Sequence, residues 1–279
     1  MNDEFGAERI NKKSKIVRWI KIILLIYFVI GFSLYFLQEK ILFHPEPLSK
    51  DYHYSFNSPF KEVNIEIGKE ENLNLIQFLP DSVPIKGVVL YFHGNMKNIN
   101  HYAKFAKNFT MNGYEVWMPD YPGFGKTTGN LTEKKLYENA AQVYKLANKR
   151  FMSDSIIIYG RSLGTGVASQ LATRVDCRQL ILETPYYSIP DLFRSYAPIY
   201  PSSLMAKFIF PVYQYLTEVK VPITIFHGDD DEVIPYRCAN KLKTVLKKGD
   251  EFITVPKGKH NNLFQFEMVT KKLDSLLRN

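Results

Sequence analysis

Short runs of unbroken apolar residues recur along this chain, separated by stretches that are apolar only at every third or fourth position. "GVVLYFHG" (Gly87 to Gly94) is apolar without alternation, as a strand covered on both faces should be. "YEVWMPDY" (Tyr114 to Tyr121), "SIIIYG" (Ser155 to Gly160), "QLILET" (Gln179 to Thr184), "PITIFHG" (Pro222 to Gly228) and "EFITVP" (Glu251 to Pro256) repeat the signal. Ahead of them, "EVNIEI" (Glu62 to Ile67) alternates with period two, and "LNLIQFL" (Leu73 to Leu79) follows after a charged turn, which predicts a hairpin. Helical spacing lies between the runs, as in Leu131 to Arg150, where Leu136, Ala140, Val143 and Leu146 share a face, and in Pro235 to Leu246. A hairpin followed by such units predicts a mostly parallel, twisted sheet of about eight strands with helices on both faces. Tyr186 to Glu218 does not fit: it is rich in Tyr, Phe and Pro without a strand pattern, and is expected to be a cap inserted over the sheet's C-terminal edge.

The N-terminus is of another kind. From Ile22 to Leu37, "IILLIYFVIGFSLYFL" carries no charge. Lys21 and Arg18 can snorkel, which extends the apolar helix back to Ile16, and Trp19 and Tyr35 suit the two interfaces of a bilayer. The alternatives are a cleaved signal peptide or a buried core helix. A signal peptide calls for a small-x-small cleavage site, whereas bulky "YFLQEKILF" follows here. An uncleaved anchor over 1–37 and a second unit over 38–279 are therefore expected. Up to Lys21 the chain has six basic residues against three acidic ones, and that cluster precedes the span, so the N-terminus is expected in the cytoplasm and the remainder outside.

Composition narrows the partners. Of 279 residues 46% are hydrophobic, enough for a large core. The net charge of +8 is spread thinly, with no basic stripe interleaved with aromatics, so no nucleic acid is expected. The two cysteines, Cys177 and Cys238, fall at opposite ends of the expected sheet, and a bridge is not expected. No His/Cys/Asp cluster has ligand spacing, so neither a metal nor a cofactor is expected.

Gly160-Arg-Ser-Leu-Gly164 sits at the seam between an apolar run and a helical stretch and matches G-x-S-x-G. A strand that reverses into a helix within so few residues leaves no room for side chains beside the serine. The turn lifts the Ser162 hydroxyl above the sheet and leaves the N–H of Leu163 free to face a developing oxyanion. A serine alcohol needs a base, and the base an orienting acid. Of six histidines, His44, His53, His93 and His101 precede Ser162, and His227 closes a buried strand, where a structural role fits better. His260, in the loop "VPKGKHNNLF" after the last run, is left as the base. The acid should come from "HGDDDEVIP", which offers Asp229, Asp230, Asp231 and Glu232. A second oxyanion donor is expected from "YFHGNMKN", at the N–H of Asn95 after Gly94.

With these residues in hand, the chain resembles the α/β-hydrolase superfamily, and within it the membrane-anchored "α/β-hydrolase domain-containing" serine hydrolases. The likeness runs from about Gln38 to the end. "LQEKILFHPEP" is similar to that group's post-anchor segment, "YFHGN" to its oxyanion strand, "DYPGFGKTTG" to its D-Y-x-G-[FY]-G-x-[ST]-x-G loop and "YGRSLGTGVA" to its elbow. "FHGDDDEVIP" resembles H-G-x-x-D-x-[VI]-[VI]-P, which implies Asp231 as the acid, and "GKHNNL" resembles G-x-x-H-N, which implies His260 as the base. Fold, triad and reaction class follow from the resemblance; substrate does not, because the superfold hosts lipases, thioesterases, carboxylesterases and peptidases. The expectation is a membrane-anchored hydrolase of lipid-like acyl esters or thioesters. A serine peptidase, or a non-catalytic binding protein on the same scaffold, is the alternative. The anchor is expected to act by proximity alone, so that a chain starting near Gln38 keeps its rate on soluble esters. A few of the aromatic residues of Tyr186 to Glu218 are expected to line an acyl channel.

Overall fold

The computed structural model describes residues 2–81 and 83–278, with the side chains of residues 2–14 set aside; the basic residues Arg9, Lys12 and Lys13 fall outside the described side chains. Eight strands form one sheet: β1 (Phe60–Gly68), β2 (Glu71–Phe78), β3 (Gly87–Phe92), β4 (Tyr114–Pro119), β5 (Ile156–Arg161), β6 (Gln179–Glu183), β7 (Ile223–Gly228) and β8 (Glu251–Val255). Their spatial order is β1-β2-β4-β3-β5-β6-β7-β8. β1 and β2 pair antiparallel, as does β2 with β4, and every other neighbour is parallel. This is the α/β-hydrolase fold expected from the sequence.

The apolar runs are unbroken because both faces of the central strands are covered. Val88, Leu90, Phe92, Ile156 and Ile158 face one core, which includes Leu136 and Val143 of α2 (Glu133–Asn148) and Val167 and Leu171 of α3 (Gly164–Ala172). Their neighbours Val89, Tyr91, Ile157 and Tyr159 face another, closed by Val269, Leu273 and Leu277 of the last helix (Glu267–Arg278). The parallel strands put the ends of β3, β5, β7 and β8 on one edge, where open α/β sheets bind ligands. Cys177 and Cys238 are both free and buried. Pro235 to Leu246 is not one helix: a single α turn (Tyr236–Ala239) passes into a 3-10 segment (Asn240–Val245). Cys238, Ala239 and Leu242 alone are buried there, too few for a stripe that would hold a longer helix.

Two regions lie outside the sheet's repeating pattern. The β6–β7 connection holds three helices, α4 (Ile189–Tyr196), α5 (Ser202–Met205) and α6 (Val212–Glu218). α6 packs on α3 as an ordinary flanking helix. The N-terminal helix α1 runs unbroken over Asn2–Leu42, and its segment Lys15–Leu42 is long and apolar enough to cross a membrane. The expected division at residue 37 therefore falls inside a continuous helix.

Candidate active site

Ser162 follows β5 with φ of 51°, in the left-handed region that a non-glycine residue rarely occupies. The turn works only because its flanks lack side chains. A Cβ on Gly160 would lie 2.6 Å from the Gly164 carbonyl oxygen, and one on Gly164 would run into the carbonyl of Phe92. The strain is held by a backbone bond from Ser162 N–H to the Glu183 carbonyl (2.9 Å) and by α3, which starts two residues later.

His260 reaches the serine from the loop after β8. Its Nε2 lies 3.0 Å from Ser162 Oγ and its Nδ1 2.9 Å from Asp231 Oδ2, in the loop after β7. With Asp231 ionised, Nδ1 carries the proton, and Nε2 is left as the acceptor facing the serine hydroxyl. All three side chains are buried. The other Asp231 oxygen, Oδ1, accepts the N–H groups of Val233 (2.9 Å) and Ile234 (2.8 Å). Burial alone would raise this carboxyl; the His260 hydrogen bond and charge, with the Ile234 N–H, outweigh it and hold the acid below its ordinary value. Asp229 and Asp230 are exposed, and Asp229 Oδ1 accepts the Lys257 N–H instead. His227 stands under the acid loop, Nε2 bonded to the Ile234 carbonyl at 3.0 Å, and burial lowers its pKa so that it stays neutral.

Asn95 and Leu163 complete the cluster. A Cβ on Gly94 would sit 3.6 Å from Ser162 Cβ, which brings the loop after β3 beside the serine. The N–H groups of Asn95 and Leu163 have no acceptor among the described residues. His93, in the same loop, is locked away: Nε2 lies 3.2 Å from Asp120 Oδ1 and Nδ1 2.7 Å from the Gly94 carbonyl, so it shapes the turn.

Sequence reasoning missed two supports. Arg161, the free position of G-x-S-x-G, stands 3.5 Å from buried Glu183 and donates to Asn261 Oδ1 (3.1 Å) and to the His260 carbonyl (3.4 Å), tying the serine turn to the base loop. The second support is α1. Asn95 Nδ2 donates to the Leu42 carbonyl at its C-terminus, and the next residues, His44–Pro45, form a short parallel pair with Met96–Lys97. An apolar pocket of about 510 Å³ lies between α1 and the β6–β7 connection, bounded by Leu34, Leu42, Leu192, Phe193 and Met205, with Asn95 and Val233 also in its wall. Of the aromatic residues of Tyr186 to Glu218, Phe193 and Tyr196 line it, whereas Tyr186 and Phe210 pack into the core. A larger open cleft of about 770 Å³, lined by Ser55, Asp81 and Lys107 among others, holds none of these side chains. Among the described residues no group of three or more His, Cys, Asp or Glu side chains converges as a metal site would.

Residues 83–216 match the family model described as serine aminopeptidase, S33. Among solved structures, a Pyrococcus furiosus esterase matches with a TM-score of 0.66 at 16% identity, covering 85% of this chain and 97% of its own. The esterase Est1E from Butyrivibrio proteoclasticus, bound to ferulic acid, matches with a TM-score of 0.65 at 20% identity, covering 77% and 97%. The chain has the α/β-hydrolase fold. Human protein ABHD12B is 28% identical over 203 residues, 63% of this chain and 56% of its own length. The lysophosphatidylserine lipase ABHD12 of Danio rerio is 29% identical over 179 residues, 56% and 46%. The chain thus spans about half the length of the curated relatives it matches. These likenesses support the "α/β-hydrolase domain-containing" group.

Proposed function

We propose that this hydrolase cleaves carboxylic ester or thioester bonds of lipid-like acyl substrates while anchored in a membrane by α1. The reading is carried by one juxtaposition: a serine–histidine–aspartate relay with bonds of 3.0 and 2.9 Å, and an apolar pocket that shares Asn95 of the neighbouring loop in its wall. Ser162 Oγ attacks the acyl carbonyl as His260 Nε2 takes its proton. Asp231 holds the Nδ1–H tautomer and stabilises the imidazolium. The N–H groups of Asn95 and Leu163 receive the oxyanion, and His260 then protonates the leaving oxygen or sulfur. Water, deprotonated by His260, releases the acid and restores Ser162. The connection from Tyr186 to Glu218 serves as the cap, and its pocket takes the acyl chain. The basic cluster ahead of the span argues for a cytoplasmic N-terminus and a hydrolase domain on the other side.

An aminopeptidase reading fits less well. A substrate's free ammonium calls for a carboxylate partner, and no Asp or Glu lines the pocket. The test is a series of acyl esters and thioesters of increasing chain length, with an N-terminal aminoacyl amide beside them, assayed on the full chain. The expected result is a rate that climbs with chain length until the pocket is full and no turnover of the amide. Preference for the amide would overturn the reading.

A further inference from the structure

The upper half of α1 is built as one side of a packing interface. Tyr27, Gly31, Leu34, Gln38 and Ile41 follow one another at spacings of four and three, which puts them on one helix face. That face meets the β6–β7 connection along its length. Tyr27 stacks on Tyr200 with ring centroids 4.7 Å apart and planes within 9°. A Cβ on Gly31 would lie 3.0 Å from the Tyr200 ring, so glycine permits the close approach. Gln38 Nε2 donates to the Met205 carbonyl at 2.7 Å, and its Oε1 accepts the Lys207 N–H at 2.7 Å.

The height of these contacts is the informative fact. Tyr27 precedes Leu37, where the uncharged run ends, by ten residues, which is about 15 Å along a helix. Whatever touches Tyr27 lies that deep inside the stretch read as membrane-spanning. The segment that touches it, Tyr196 to Ala206, has no charged residue. It turns apolar side chains outward, with Ile199 70% and Leu204 84% exposed. The tyrosine pair where it meets α1 is arranged for a dry medium. Tyr27 Oη donates to the Ile199 carbonyl (3.2 Å) and Tyr200 Oη to the Tyr27 carbonyl (3.1 Å), so both hydroxyls are satisfied without water. The first charge after the segment, Lys207 Nζ, lies 4.8 Å from the Tyr35 ring and 5.4 Å from that of Phe36, level with the end of the uncharged run, where a bilayer's headgroups begin.

Resting on the anchored-hydrolase reading, we infer that Tyr196–Ala206 is immersed beside α1 in one leaflet of the bilayer, and that the pocket between them takes its acyl chain sideways from that leaflet. The occupant of this exposed apolar face is the hydrocarbon of the membrane. Leu34 and Ile41 of α1 then help to select the chain, so the helix forms part of the substrate pocket as well as the anchor.

The test uses the full chain in phosphatidylcholine liposomes. Leu204→Cys carries an environment-sensitive nitrobenzoxadiazole dye; Cys177 and Cys238 are buried and stay unlabelled. Met152→Cys, at an exposed position ahead of β5 and away from the active-site edge, is the control. The dye at 204 should be quenched by lipids spin-labelled in the acyl chain and shielded from aqueous iodide, with the reverse at 152. Equal iodide quenching at both sites would overturn the inference. So would a dye at 204 shielded from iodide yet insensitive to the spin-labelled lipids, which would indicate a protein partner on this face. In a second arm, Leu34→Trp fills the pocket from the helix side, and the ratio of long-chain to acetyl ester kcat/KM should fall at least tenfold. An unchanged ratio would overturn the role of α1. The dye reads position without substrate, so the arms separate: an embedded dye with no chain-length preference in the parent protein refutes the lipid-like substrate and leaves the immersion standing.

Discussion

The relay at Ser162 and the apolar wall beside it are neighbours held by different physics. In the relay each group meets its partner at a set distance, and the loops that carry it are fixed by strain at Ser162 and by two backbone N–H bonds to Asp231 Oδ1, which leave Oδ2 to His260. In the wall, Leu34, Leu192 and Phe193 contribute area, and no single atom is indispensable. One atom lost from the relay should cost orders of magnitude, whereas one side chain lost from the wall should cost about a kilocalorie.

The largest expected effect is at the nucleophile. Ser162→Ala should lower kcat on a short soluble ester on the order of 10⁶-fold, as in other serine triads, and abolish fluorophosphonate labelling. Labelling that persists at another serine would remove Ser162 from the relay. Asp231→Asn keeps the shape and removes the charge, for a fall of about 10⁴-fold in kcat. Asp229→Asn, whose carboxylate serves only the Lys257 N–H, should stay within a few-fold. Comparable losses in the two variants would mean that the acid has been misplaced within the loop.

Arg161→Met should act on stability more than on chemistry. It leaves Glu183 buried without its cation, at a cost of about 3–5 kcal/mol, read from chemical denaturation. A midpoint unchanged within error would show the pair to be dispensable. Acid should act in the same direction more gently. His227 has a folded pKa below its ordinary 6.5 because burial disfavours its charged form. Its contribution to stability is therefore complete above about 6.5 and is lost as the pH falls through its folded pKa, while the unfolded chain takes up a proton. Asp231, also depressed, adds a second decline below its ordinary 3.8. Thermal melts from pH 8 downward should fall in that order, and His227→Asn should flatten the first decline. The smallest effect belongs to the wall: Phe193→Ala removes a half-buried ring, worth about 1 kcal/mol, or about fivefold on a long acyl ester. A loss of several hundredfold would place Phe193 among the groups that hold the relay.

The sheet and the polar site were legible because their signals are local. An unbroken run such as "IIIY" reports cover on both faces, and the glycines around Ser162 report a turn with no room for side chains. The choice of Asp231 among four acidic neighbours needed the family pattern; the structure adds that Asp229 and Asp230 are exposed while Asp231 faces His260. The wall was not legible, because hydropathy scores every apolar residue of α1 alike and says nothing of which face has a partner. The four-three spacing of Tyr27, Gly31, Leu34 and Gln38 was the signal available, along with the uncharged stretch from Tyr196 to Ala206. Arg161 was silent for another reason: it occupies a position that the motif leaves open, and its partners Glu183 and Asn261 lie far away in sequence.

Between the last residue of α1 and the His44–Pro45 strand there is one residue, Phe43, and it is buried. The connection is therefore a rigid joint: helix and hydrolase domain share one orientation, with no slack between them. In a bilayer thinner than the helix, the tilt that hides its apolar length would rotate the whole domain with it. On the proposed reading of α1 as a membrane anchor, bilayer thickness would then set at what depth and at what angle an ester bond must sit to meet Ser162.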